Sequence, residues 1–296
     1  MLPQSLINRL RYVEISTTRA VRAHRTGDYL SRIRGRSYEF DQHKPYQQGD
    51  DYRQIDWNVT ARMQTPFVKR ELEEKELSAV IMVDLSRSML FTSTGQTKKD
   101  LLVEIAAVLA FSAVSDNINV GLLAFTDRVE CYLPPKKGKP QTWRLLDALW
   151  NLTPRHRGTR FEPALEQLAA GLKNIAMIFC VSDFISADSL WTSPYLKTVA
   201  HKADFVPIIL EDAWEEALPE TEGFLRLRDA EADGHEMVLA LSAARCRQYR
   251  TILQERRAAV RRHLYGLNLD HVTLHTGEDH LKRILALFVA RKRKRA

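Results

Sequence analysis

The sequence predicts an α/β fold with a mainly parallel central sheet and helices on both faces. Three observations carry this. Val80-Ile81-Met82-Val83 is an apolar run that stops at Asp84, as a buried strand does when it reaches the edge of a sheet. Strand and helix signals then alternate down the chain, the pattern of βαβ units. The composition, 45% hydrophobic and 27% charged, is that of an ordinary soluble globular protein able to bury such a sheet.

The elements follow in order. Ser5 to Ala23 carries Leu6, Leu10, Val13, Ala20 and Val21, a patchy helical spacing with a basic outer face. Arg25 to Arg70 is polar and rich in Gly, Tyr, Asp and Arg, so it is expected to lie against the domain that follows, with a short strand at Phe67–Arg70. After the Val80–Asp84 strand comes a helix over Lys99–Ser115. Asn119–Thr126 is the next strand, with Val129–Leu133 as a hairpin partner. Trp143–Leu152 and Glu162–Leu172 read as helices, Ile175–Ser182 as a strand ending at Asp183, Ser189–His201 as helix or turn, and Phe205–Leu210 as a strand.

Asp233-Gly234 between Phe224–Arg228 and Glu236–Leu239 is a hairpin signal. A long helix from Ser242 to Tyr265 is expected to stop with Gly266 at the C′ position. His271–His275 closes the strands and Asp279–Arg291 the helices. The expected domains are therefore residues 1–78 as helix and strap, 79–290 as the α/β domain with a hairpin insertion at about 223–241, and 291–296 as a basic tail.

No apolar segment approaches the roughly 18–20 residues that cross a bilayer. The start, Met1-Leu2-Pro3-Gln4-Ser5, lacks the layout of a signal peptide. Cys131, Cys180 and Cys246 have neither metal-finger nor disulfide spacing, so they read as reduced thiols and the location as cytoplasmic, with Cys180 in the core. The net charge is +7, and Arg291-Lys292-Arg293-Lys294-Arg295 holds five of those charges. Such a tail can touch nucleic acid or an anionic membrane, or simply end a helix where cations suit the dipole.

The chemistry concentrates in Asp84-Leu85-Ser86-Arg87-Ser88. A strand ending this way delivers its polar groups to the crevice at the carboxyl edge, where ligands bind in α/β sheets. One carboxylate and two hydroxyls suit a hard cation, although Ser86 or Ser88 would also serve as a helix cap. Gly158-Thr159 before the Glu162 helix and Ser182-Asp183 at the end of a strand can converge on the same crevice. Mg²⁺ takes about six oxygens and retains waters, so these side chains would leave a coordination position open.

Asp84-x-Ser86-x-Ser88, then Thr159 and Asp183, resembles the metal-ion-dependent adhesion site of von Willebrand factor A domains, a Rossmann-like fold. The resemblance implies Asp84, Ser86, Ser88, Thr159 and Asp183 around one Mg²⁺, Mn²⁺ or Ca²⁺, whose open position accepts a carboxylate from a binding partner. A second resemblance lies in Tyr46-Gln47-Gln48-Gly49-Asp50-Asp51-Tyr52-Arg53-Gln54-Ile55-Asp56-Trp57, with Ala61-Arg62 and Val68-Lys69-Arg70. It is similar to the signature of domain-of-unknown-function family fifty-eight, bacterial proteins that join this segment to an A-type domain. That resemblance implies a MoxR-type AAA+ ATPase as partner.

Within the segment, Gly49, Asp50, Asp51, Arg53, Asp56, Trp57 and Arg62 read either as a strap locked by charge pairs and anchored by a buried Trp57, or as a docking surface. The expected function is metal-dependent protein–protein recognition without catalysis. The rivals are a metal-free docking platform that binds through its tail and a Mg²⁺-dependent phosphohydrolase. The latter needs an acid two residues after Asp84, where this chain has Ser86.

Overall fold

The computed structural model describes residues 3–23, 43–47, 52–69, 77–93, 95–156, 158–172, 175–185, 187–216, 223–228, 236–278 and 280–295. The chain divides into two compact units, Met1–Tyr29 with Leu77–Ala296, and Leu30–Glu76. The first helix, α1 (Gln4–Ala23), belongs to the larger unit, where Leu6 and Leu10 are buried and Arg9 pairs with Glu104.

In the smaller unit β1 (His43–Pro45) pairs antiparallel with β2 (Phe67–Lys69). The helix α2 (Trp57–Met63) lies between them in sequence. Asp56 caps it, accepting from the N–H groups of Asn58 at 3.0 Å and Val59 at 3.2 Å. A carboxylate at this position satisfies orphan donors and suits the dipole. Trp57 is 71% exposed. The expectation of a buried tryptophan anchor is thus corrected: as the first residue of a short helix with no buried residues, Trp57 projects its ring into solvent. Gly49, Asp50 and Asp51 lie outside the described residues.

The larger unit is the expected α/β sheet. Its strands are β3 (Ser78–Asp84), β4 (Asn119–Phe125), β5 (Val129–Lys136), β6 (Ile175–Ser182) and β7 (Asp204–Glu211), completed after a separate hairpin, β8 (Gly223–Arg228) with β9 (Glu236–Leu241), by β10 (Val272–His275). The order is β10-β7-β6-β3-β4-β5, parallel except for the β4–β5 pair. β3 is buried at every position. Successive side chains of a strand face opposite sides, so both faces of the sheet are covered.

One cover is α3 (Lys98–Ser115), an interior helix with Leu101, Leu102, Ile105, Val108, Leu109 and Phe111 all buried. Each such side chain contributes about 1.5–3 kcal/mol on burial. The edge strand β5 runs antiparallel to β4 and is joined to it by a short turn over residues 126–128, where the Thr126 N–H donates to Arg128 O at 2.8 Å; α4 (Lys139–Asn151) follows β5. The opposite face packs Val80, Met82, Leu123, Phe125, Ile178 and Cys180 against α5 (Glu162–Ala170), α6 (Asp188–Thr192) and α7 (Pro194–Lys202). Cys180 is the core thiol the sequence predicted.

After β7 come α8 (Ala213–Glu216), the hairpin, α9 (Ala243–Gly266) and finally α10 (His280–Arg295). Two expectations at this end are corrected. Gly266 is the last residue of α9 and not the left-handed residue beyond it, and Asn268 takes that role at φ 52°. Asn tolerates this region, and the Leu269 N–H closes the turn on Leu264 O at 2.9 Å. Arg291 is not part of a free tail. It is buried in α10 and its guanidinium bonds Asp204 at the start of β7 and Asp270 at 3.1 Å. Buried apolar residues of α10, Ile284 and Phe288, carry the helix to that point.

No helix among the described residues is long and apolar enough to cross a membrane.

Candidate functional site

The strand order reverses direction between β3 and β6, since the chain moves from β3 to β4 on one side and from β6 to β7 on the other. Ligand crevices of open α/β sheets form at such a switch, outside the carboxyl ends of the strands. Asp84 ends β3 there, Ser182 ends β6, and Asp183 follows it.

Asp84 is fully buried. Its Oδ1 accepts the Ser86 N–H at 2.8 Å and its Oδ2 accepts the Ser182 hydroxyl at 2.7 Å. Burial, and then the charge of Asp183, raise its pKa to about 7 against the pull of those bonds. The capping alternative for the serines is set aside: Ser86 stands before a 3₁₀ turn, Arg87–Leu90, but makes no side-chain cap. Its Oγ instead meets Ser88 Oγ at 3.0 Å. Asp84, Ser86 and Ser88 thus form one hydrogen-bonded group.

Asp183 enters through a strained turn. Phe184 has φ 54°, a left-handed conformation that costs a bulky L-residue on the order of 1–3 kcal/mol. Packing offsets this. Phe184 stacks on Phe161 (5.6 Å) and on Trp191 (5.9 Å), and its N–H donates to Ser182 Oγ at 3.0 Å. The turn lets the Ile185 N–H reach Asp183 Oδ1 at 3.1 Å.

Thr159 lies in the loop between α4 and α5, which is fastened to the same edge. Glu130 accepts the N–H groups of Arg155 and His156, and the Arg160 N–H donates to Thr126 O at 2.9 Å, one residue past β4. Two residues after Thr159, Phe161 packs between Phe125, the register partner of Asp84, and Phe184, the neighbour of Asp183. Asp84, Ser86, Ser88 and Asp183 therefore gather at one edge, with the Thr159 loop tied to the adjoining strand.

Sequence reasoning missed two members of this edge. Lys98, the first residue of α3, is fully buried, and its ammonium donates to Asp183 Oδ2 at 2.7 Å and to Glu215 Oε1 at 2.6 Å. Burial opposes the charge on Lys98, but the two carboxylates outweigh it and the pKa rises. Glu215, in α8, is raised above the usual carboxylate range by burial and by Asp183, even though Lys98 pulls it down. One ammonium is shared by more carboxylates than it can neutralise. The signal was present: a lysine in a helix's first turn opposes the macrodipole.

The donor chemistry fits a divalent hard cation. Asp84, Asp183 and Glu215 carry three negative charges when ionised against the one ammonium of Lys98, and the neighbouring donors are hydroxyls. Among the described residues no group of three or more His, Cys, Asp or Glu is arranged to hold a metal, so an ion at this edge would depend on Ser86, Ser88 and Thr159 for the rest of its oxygens.

An uncharacterized protein of Mycobacterium bovis, Mb1516, and one of Mycobacterium tuberculosis, Rv1480, are each 27% identical over 286 residues, which is 96% of this chain and 89% of theirs. Among solved structures, a conserved hypothetical protein BatB from Bacteroides thetaiotaomicron aligns with a TM-score of 0.44 at 13% identity, over 73% of this chain and 99% of that one. An aerotolerance-related membrane protein from Bacteroides fragilis aligns at 0.42 and 12%, over 74% and 99%. Residues 42–259 match the family described as protein of unknown function DUF58, and the chain belongs to that family.

Proposed function

We propose that the protein is a metal-dependent protein-recognition module of the von Willebrand factor A type. One Mg²⁺, or Mn²⁺ or Ca²⁺, would be held by Asp84, Ser86, Ser88, Thr159 and Asp183. Its open position would take an Asp or Glu from a protein partner, since carboxylates bind hard cations well. The observation that supports this most is the excess of buried carboxylate over ammonium at the switch point of the sheet.

The partner implied by the family resemblance is a MoxR-type AAA+ ATPase, for which this chain would act as adaptor in the cytoplasm. No catalytic step is proposed: Ser86 stands where a phosphohydrolase of this layout needs its proton donor. The test is a pull-down with mass spectrometry, with and without chelator, on the wild type and on Asp84→Ala and Asp183→Ala. The expected result is an acidic-motif partner captured only by wild type with metal. Equal capture in chelator, or by both variants, would overturn the reading.

A further inference from the structure

Lys98 is buried at two separate costs. Its side chain has no solvent exposure, and removing an ammonium from water costs several kcal/mol. It stands at the first position of α3, where the helix dipole is positive. It also lies against a carboxylate of the candidate metal site rather than at the distant end of the sheet. A side chain that served packing alone would be apolar here, since Leu101, Leu102 and Ile105 of the same helix already supply that contact.

The geometry makes Lys98 a cation inside the metal site. Asp183 Oδ1 is occupied by the Ile185 N–H, and Oδ2 by the ammonium. A divalent ion approaching Asp183 therefore meets a positive charge already in place. Glu215 holds the other side of that charge. Its Oε1 accepts from Lys98 and its Oε2 accepts the Asp212 N–H at 3.2 Å, which fixes it to the end of β7. Asp212 is anchored in turn by the Ser93 N–H at 3.0 Å and the Thr276 hydroxyl at 2.8 Å. The ammonium thus sits between a carboxylate of the metal site and one tied to the neighbouring strand.

We infer that Lys98 is an internal competitor cation that sets the divalent-ion affinity of this site, and that Glu215 sets how strongly it competes by drawing the ammonium away from Asp183. Lysine suits the role because its charge is compact and its stem flexible, whereas an arginine fork would fix both carboxylates. The inference rests on the divalent-ion reading above and adds its regulation.

The test is a Mn²⁺ titration, followed by electron paramagnetic resonance of the free ion, on the wild type, Lys98→Met, Glu215→Gln and the double variant. Lys98→Met removes the competing charge and is expected to bind Mn²⁺ about tenfold tighter or more. Glu215→Gln leaves the ammonium wholly to Asp183 and is expected to bind about threefold to tenfold more weakly. In the double variant the Glu215 effect should largely vanish, because it acts through Lys98. Lys98→Met binding no tighter than wild type overturns the inference while the metal reading stands. A silent wild type with a binding Lys98→Met upholds the competition and overturns ion binding by the native protein. No binding by any protein overturns both. If Lys98→Met does not fold, Glu215→Gln decides alone: affinity equal to or above wild type overturns the inference.

Discussion

Among the described residues, two clusters of the larger unit each join one cation to two carboxylates, at opposite ends of the sheet. At the carboxyl edge Lys98 joins Asp183 and Glu215. At the amino end of β7, Arg291 joins Asp204 and Asp270. They differ in what surrounds them. The arginine cluster brings the last helix onto the sheet with a fork that offers each carboxylate its own N–H. The lysine cluster adds Asp84, Ser86 and Ser88 beside it and so holds negative charge and hydroxyls beyond what one ammonium satisfies. The difference separates a fork that gives each of its two carboxylates an N–H from an ammonium bordered by a further buried carboxylate and two hydroxyls.

The largest expected effect breaks the carboxyl edge alone. Asp84→Asn removes the central charge while keeping its shape. Mn²⁺ affinity should fall by at least about 100-fold, roughly 3 kcal/mol, with the melting temperature in chelator unchanged or raised, because a desolvated charge has gone. Arg291→Met is the converse. It removes the guanidinium that bonds Asp204 and Asp270 and should destabilise the fold by about 2–3 kcal/mol. That is less than a fully buried pair would lose, since both carboxylates are partly exposed, and Mn²⁺ affinity should not change. Denaturant melts and metal titrations on the two variants check this. If Arg291→Met weakens the metal as much as Asp84→Asn does, the two clusters are not distinct in kind.

Legibility in the sequence followed range. The strands were readable because Val80–Val83 and Ile175–Val181 are continuous apolar runs, and Asp84 and Asp183 were readable because each run stops at them. The sheet order then places those strand ends side by side. Lys98 and Glu215 were not readable as partners, since they lie 117 residues apart and neither interrupts a pattern strongly. Arg291 was misread as tail because a run of like charges masks the one member whose stem reaches the core. Gly266 was misread because Asn268, two residues on, supplies the same conformational freedom. In the smaller unit, Asp56 places an oxygen on the helix cap, a role that lies in its position before Trp57 and not in its charge alone.

A smaller effect sharpens the carboxyl edge as a function of pH. Asp212 is pushed upward by burial, but the bonds from Ser93, Trp214 and Thr276 outweigh this and hold its carboxyl below the usual range. A group with a depressed folded-state pKa stabilises fully above its unfolded value, near 4, and loses that contribution as pH falls through the folded value. Wild-type stability should therefore drop on acidification below about pH 4 in part through Asp212. Asp212→Asn should be less stable than wild type near pH 6, and the gap should narrow as pH approaches 3 in urea melts. A gap that is constant with pH would mean the loss is one of hydrogen-bond geometry and not of charge.

The smallest expected effect lies in Trp57, and it tests whether exposure there has a use. Trp57→Ala removes a ring that is already 71% exposed, so the thermal melt should move by no more than a surface substitution does, about 0.5 kcal/mol. An anchor buried against the fold would cost about 3–5 kcal/mol instead. The companion measurement is the chelator-controlled pull-down with the same variant. Exposed tryptophans carry disproportionate energy in interfaces. Loss of the captured partner with an unchanged melt would make the smaller unit part of the docking surface. Retained capture would confine recognition to the carboxyl edge, where Asp84, Ser86 and Ser88 stand beside the lysine cluster and have no counterpart described beside Arg291.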